Sequence, residues 1–201
     1  MNFKAIGFDY GGVIAGVSGP EFKKRITSLL GIEIKTFENV YFKFNHLINS
    51  NSLSEEDFWM KICEELGVSD KCADLIKFIK ELPRYKINEK MIELVDKLRG
   101  NGYKTGLLSN NDLSAATQFK KTGLANHFNI VVVSAEIGFS KPHPKAFEIF
   151  AEQLGVTTDE LVYIDDSERN LAAAKEVGFY PILFTDYESL LDSLKTAGIN
   201  I

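Results

Sequence analysis

The chain has 201 residues, enough for one large domain or a core domain with a modest insertion, since a single hydrophobic core grows to about 250 residues. Hydrophobic residues make up 45% and charged residues 25%, the balance of a globular protein rather than a disordered or fibrous one. The net charge of -5, from 23 basic and 28 acidic residues, argues against nucleic acid as the main partner, because phosphate backbones are held by an excess of Lys and Arg. The apolar run near the N-terminus is too short for a signal peptide, and no segment reaches the ~18 apolar residues of a membrane span. A reducing, cytoplasmic setting without a membrane partner is the expectation. Cys63 and Cys72 have no CxxC partner or neighbouring His, so they read as buried or idle thiols rather than zinc ligands. Oligomeric state is not legible here.

Residues 3–8 form a largely apolar run that stops at Asp9 and a Gly-Gly pair, as a buried strand does on meeting a loop. The long stretch that follows has no strand-like run fit for a central sheet. Instead 20–30, 35–48, 54–66 and 69–82 carry Phe, Ile, Leu, Val or Trp at helical spacing, with Ser54 and Ser69 as expected N-caps and Asp57 completing a capping-box-like pair with Ser54. A small helical bundle over 16–83 is the economical reading.

A helix at 86–98 then begins a regular alternation. Strands are expected at 104–108, 130–133, 161–164 and 181–184, with helices at 145–154 and 170–177 that stop at Gly155 and Gly178. Such alternation predicts an α/β fold: a Rossmann-like parallel sheet, built from 1–15 and 84–201, carrying the helical bundle as an insertion after strand one.

Ligands of open parallel sheets bind beyond the carboxyl ends of the strands. The first strand delivers Asp9, Tyr10, Gly11 and Gly12 there, the second Ser109, Asn110 and Asn111, and the fourth Asp165 and Asp166. Ser140, Lys141 and Pro142 open the segment between strands three and four. A carboxylate nucleophile, a hydroxyl beside backbone N–H donors, a lysine and an acidic pair suit phosphoryl transfer through an aspartyl phosphate. An anionic phosphate would repel Asp9, so Mg²⁺ is expected, held by Asp9, Asp166 and a backbone carbonyl at Gly11. Ser109 and the N–H of Asn110 would hold phosphate oxygens, and Lys141 would offset charge on Asp9 and the transferring group. Asp165 or Asn170 would orient metal-bound water from behind the ligands.

In this order the segments FDYGGVI, GLLSNN, SKPHPKAF and VYIDDSERNLAAAKEVG resemble the four motifs of the haloacid dehalogenase-like hydrolases, over nearly the whole chain. The resemblance implies that Asp9 is the nucleophile, that the insertion is a helical cap closing over the substrate, and that the substrate is a small phosphorylated metabolite. Phosphatases of this superfamily usually carry a second aspartate two residues after the nucleophile, as the acid that protonates the leaving alcohol; here Gly11 stands in its place. A subgroup resembling sugar-phosphate phosphatases shares that glycine. Two rivals follow. One is a metal-independent 2-haloacid dehalogenase, against which the Asp165-Asp166 pair weighs; the other is a phosphate-ligand binding protein with little turnover. In the insertion, Lys43, Asn45, His46 and Asn49 are candidate substrate contacts, while Phe37, Tyr41, Phe42 and Phe44 read as cap core and His127 and His143 as surface or packing residues.

Overall fold

The structure, a computed structural model, describes residues 2–15, 19–49, 52–81, 87–111 and 113–201, with the side chains of 19–22, 49 and 114 left aside. Five strands form one parallel sheet in the order β3-β2-β1-β4-β5: β1 Ala5–Phe8, β2 Lys104–Ser109, β3 Ile130–Val133, β4 Leu161–Asp165 and β5 Tyr180–Leu183. β1 is buried at every position, as expected of a central parallel strand covered on both faces. The expected alternating α/β fold is present. β5 starts one residue earlier than expected and places Pro181 on an edge strand, where a missing N–H costs little.

Strand alternation sends side chains to two cores. Ile6 and Phe8 share one core with Met91, Leu94, Val95 and Leu98 of α5 (Glu89–Gly100). Ala5 and Tyr163 share the other with Phe147, Phe150 and Leu154 of α8 (Pro144–Leu154), which follows α6 (Leu113–Lys121) and α7 (Ser134–Ile137) and precedes α9 (Glu168–Glu176). Gly7 and Gly106 underlie that second layer: a Cβ on Gly7 would lie 2.6 Å from the Phe150 ring, and one on Gly106 would lie 2.7 Å from it. These glycines are smooth floor for an aromatic ceiling.

The inserted segment is helical: α1 Gly19–Leu30, α2 Ile34–Asn49, α3 Glu55–Glu65 and α4 Cys72–Glu81. Ile26, Leu30, Phe37, Phe58, Trp59, Ile62, Leu75 and Ile79 close a hydrophobic cluster of its own. Ser54 caps α3, accepting from the Asp57 N–H at 3.1 Å and donating to its carboxylate at 2.6 Å. Ser69 does not act as an N-cap: it opens a short 3-10 turn whose capping position is Val68, so α4 begins at Cys72. Cys63 and Cys72 are free and buried, and burial pushes the Cys63 thiol up to about 12. Ala15 pairs with Ile87, and the Asn88 N–H donates to the Ile14 carbonyl, so the segments flanking the insertion run side by side. Positions 83 and 84, where the bundle was expected to end, lie outside the described residues. Among the described residues no helix is long and apolar enough to cross a membrane.

Overpacking this second core should be costly. Gly7→Ala is expected to lower unfolding free energy by about 1–3 kcal/mol in urea melts, because the buried Phe150 ring must yield. Gly100→Ala, whose Cβ meets nothing within 4 Å, is the comparison and should be neutral or slightly stabilising.

Candidate active site

Register brings the chemistry together. Phe8 pairs with Leu107 on one side and Ile164 on the other, so Asp9 emerges beside Asp165, one residue short of the level of Ser109. The chain fills the sheet on one side of β1 and then crosses to β4 on the other. The crevice at such a reversal is where open α/β sheets bind ligands. The Asp9 N–H donates to the Ile164 carbonyl at 2.8 Å, tying the carboxylate's backbone to β4.

Beyond Asp9 the chain folds back on itself. The Tyr10 carbonyl accepts from the N–H groups of Ile14 and Ala15, and the Gly12 N–H donates to the Ala15 carbonyl. Gly12 sits at φ 86°, in the left-handed region open to glycine. Gly11 is exposed, and a Cβ there would meet only the Asp9 Oδ2, at 3.9 Å. The position would accept a larger side chain.

Lys141, 3% exposed, is the hub. Its ammonium donates to Asp9 Oδ1 at 2.5 Å, to the Tyr163 hydroxyl at 2.8 Å and to Asp165 Oδ2 at 3.0 Å. Its main chain is gripped as well: the Asn110 amide donates to the Lys141 carbonyl at 2.7 Å and accepts from its N–H at 2.8 Å. The Asn110 side chain thus holds lysine, leaving its N–H for the anion-binding role expected of it. Ser109 is buried and accepts from the Asn111 amide at 3.1 Å. Asn111 is pinned in turn by Ser134, whose hydroxyl exchanges hydrogen bonds with its main chain.

Asp165 is fully buried and its two oxygens are taken up by Lys141, Tyr163, the Ser167 N–H and the Asn170 amide. Asn170 therefore works on Asp165. Among the described residues Asp166, half-buried, has no such set of partners, and carboxylate oxygens of Asp9, Asp165 and Asp166 all lie within 4.8 Å of one another. Burial raises Asp9 to about 7 against the pull of Lys141, with Asp165 and Asp166 adding to the rise. Burial, then Asp165, raises Asp166 to about 6, opposed by Lys141 and Lys23. For Lys141 burial acts downward, but Asp165 and Asp9 outweigh it and hold the ammonium well above the ordinary lysine value. Three carboxylates facing one lysine leave negative charge in excess, and an oxygen-only donor set of this kind suits a hard divalent cation. Because Asp165 is already engaged, Asp9 and Asp166 are the pair left to face one.

Beside Asp166 a cavity of about 420 Å³ opens between the bundle and the sheet, lined by Lys23, Glu38 and Phe42 from α1 and α2 and by Arg169, Phe184 and Thr185 from the core. Lys23 pairs with Glu38 at 2.7 Å, and the Arg169 guanidinium stacks 4.9 Å from the centre of the Phe42 ring. Sequence reasoning placed Phe42 in the cap core and overlooked Lys23, Glu38 and Tyr163. Glu38 and Phe42, four apart on one helix face, were the available signal. Lys43, offered as a contact, pairs instead with Glu65 of α3, and His46 is exposed. His127 pairs with Asp96, and His143 accepts from the Lys145 N–H to cap α8. A wider groove of about 900 Å³ between α3 and α4 contains none of these acids, so its size says nothing about the chemistry.

The haloacid dehalogenase-like hydrolase family matches residues 3–178. Bifunctional epoxide hydrolase 2 of Sus scrofa is 28% identical over 130 residues, which are 62% of this chain but 23% of that protein. The chain thus spans under a quarter of that relative's length. The phosphatase MT3486 of Mycobacterium tuberculosis is 25% identical over 173 residues, 83% of this chain and 80% of that one. Among solved structures, a HAD family enzyme of Bacteroides thetaiotaomicron in complex with magnesium and inorganic phosphate is 25% identical with a TM-score of 0.60, covering 94% of this chain and 98% of its own. One family accounts for the first motif, the last and everything between, and the protein belongs to the haloacid dehalogenase-like hydrolases.

Proposed function

We propose that the protein is a Mg²⁺-dependent phosphatase of a small phosphorylated metabolite, working through phospho-Asp9. The observation that carries this is the buried Asp9–Lys141–Asp165 array with Asp166 beside it, in which three carboxylates face one lysine and leave acidic charge in excess. The phosphatase and nucleotidase among its relatives, and the magnesium and phosphate held by a structural neighbour, support the same reading.

In this scheme the Asp9 carboxylate attacks phosphorus, the bond to the leaving oxygen breaks, and water then cleaves the phospho-aspartate to release phosphate and restore the carboxylate. Lys141 offsets the negative charge on Asp9 and the transferring group. Ser109 accepts from Asn111, so its own proton is the one a phosphate oxygen would receive, next to the Asn110 N–H. Asp9, Asp166 and the Gly11 carbonyl would hold Mg²⁺. That ion would supply Lewis-acid polarisation and neutralise charge between phosphate and carboxylates. We assign 1–15 and 84–201 to the catalytic core and 16–83 to a cap, with the leaving group in the cavity between Phe42 and Asp166. No side chain at Gly11 protonates the leaving oxygen, which favours substrates with good leaving groups, such as acyl phosphates or sugar 1-phosphates.

The deciding experiment is phosphate release from a panel of sugar phosphates, acyl phosphates and p-nitrophenyl phosphate, with Mg²⁺ and with EDTA. Turnover should need Mg²⁺ and vanish in Asp9→Asn; a protein that binds phosphate and Mg²⁺ without turnover on any of them would sink the proposal. Asp166→Ala should abolish activity too, whereas a metal-free dehalogenase would tolerate it. Gly11→Asp has room to add the missing acid and should raise turnover of poor leaving groups by roughly 10²-fold or more while changing acyl phosphates little, read as the ratio of kcat values.

The pH dependence of metal binding follows from the raised acids. Between about 4 and 7 the folded protein holds more protons on Asp9 and Asp166 than the unfolded chain, so these groups contribute stability at low pH that is lost as pH rises. Mg²⁺ must displace those protons. The rise in Tm on adding Mg²⁺ should therefore be larger at about pH 8 than at about pH 5 in thermal melts, and a constant rise would count against these two ligands.

A further inference from the structure

The buried Lys141 ammonium has three N–H groups and three acceptors, and the third acceptor, Tyr163, lies in the fourth motif two residues before Asp165, with no role read from the sequence. Tyr163 is fully buried in the middle of β4. Its hydroxyl accepts from Lys141 at 2.8 Å and lies 3.3 Å from Asp165 Oδ2, to which it donates, so lysine, tyrosine and aspartate close a ring of hydrogen bonds. The ring is set from outside: the Tyr163 phenol packs edge-on against Phe147 and Phe150 and tilted against Phe179. Gly7, its register partner on β1, makes room, because a Cβ there would lie 2.8 Å from Tyr163 Cδ2.

We propose that Tyr163 is a positioning residue that acts through Lys141: by accepting the third N–H it anchors Nζ in the place where the other two meet Asp165 and Asp9. The ammonium turns only about its Cε–Nζ bond, and a third acceptor deepens the one arrangement in which all three N–H groups are satisfied. A phenylalanine in this place would fill the same space and leave one N–H of a buried charge without an acceptor, which is costly. It would also remove one of the three anchors that hold Nζ beside Asp9. Asn110 does the complementary task at the other end of the residue, holding the Lys141 peptide by both its polar groups. The hydroxyl bonds to Lys141 and Asp165, so its effect should reach the reaction through the lysine and fall on turnover rather than on substrate capture.

The test uses Tyr163→Phe, which removes a single oxygen and keeps the packing. Its first arm is independent of catalysis: the ¹⁵N–¹H signal of the Lys141 ammonium, assigned by its loss in Lys141→Met, should be protected from water exchange in the wild type. It should broaden or vanish in Tyr163→Phe. The second arm rests on the phosphatase reading. There Tyr163→Phe should lower kcat about tenfold with KM within about twofold, and should add nothing in a Lys141→Met background. An unchanged ammonium signal, or a kinetic loss that persists without Lys141, would overturn the proposal. Absence of turnover in the wild type would defeat the phosphatase reading while the magnetic resonance arm still decides the role of Tyr163.

Discussion

The structure depends on one buried cation. Moving a lysine ammonium out of water is costly unless it is paired and hydrogen-bonded, and Lys141 meets that condition with two carboxylates and a phenol. The pairing runs both ways: Asp165 is fully buried at the carboxyl end of an inner strand, and without Lys141 its charge would have no cation against it. Because Asp9, Lys141 and Asp165 come from three separate parts of the chain, the interaction also fixes how the first strand, the segment before α8 and the fourth strand meet. Removing Lys141 would leave two buried carboxylates without their cation, whereas removing either aspartate would leave the lysine paired with the other.

The secondary structure exists to deliver that meeting. Parallel register sets Asp9 beside Asp165, and the reversal of strand order at β1 keeps the space above them open. Behind the sheet the packing is aromatic, with Phe147, Phe150 and Phe179 around Tyr163, and glycines on β1 and β2 let the Phe150 ring come close to the strands. The core thus locates the Tyr163 hydroxyl as firmly as it locates any apolar group. The first loop is held differently, by hydrogen bonds from Ile14 and Ala15 to the Tyr10 carbonyl, which leaves Gly11 at the surface next to Asp9.

The bundle makes its own hydrophobic cluster and meets the site through a few polar and aromatic side chains. Lys23, paired with Glu38, brings positive charge toward Asp166, and Phe42 receives the guanidinium of Arg169 from the start of α9. Charges of both signs and two aromatic rings line the space, so it offers a leaving group hydrogen bonds as well as apolar contact.

By itself the sequence determined the alternation of strands and helices, the helical character of the insertion and the positions of Asp9, Ser109, Asp165 and Asp166 at strand ends, with Lys141 in the segment before α8. These are local matters: apolar periodicity and turn residues set where elements stop, and chemistry in parallel sheets gathers where strands stop. Sequence order of four motifs added the family. What only the tertiary structure decided is which groups touch. Two adjacent aspartates look alike in a sequence, yet strand geometry turns Asp165 inward to Lys141, Tyr163 and Asn170 and leaves Asp166 half-exposed. Asn110 appeared as a turn residue with a useful N–H, and its side chain proved to hold a peptide 31 residues away. Tyr163 looked like one more apolar strand residue, and Phe42 like cap core, because periodicity reports how often a side chain is buried and not what it is buried against.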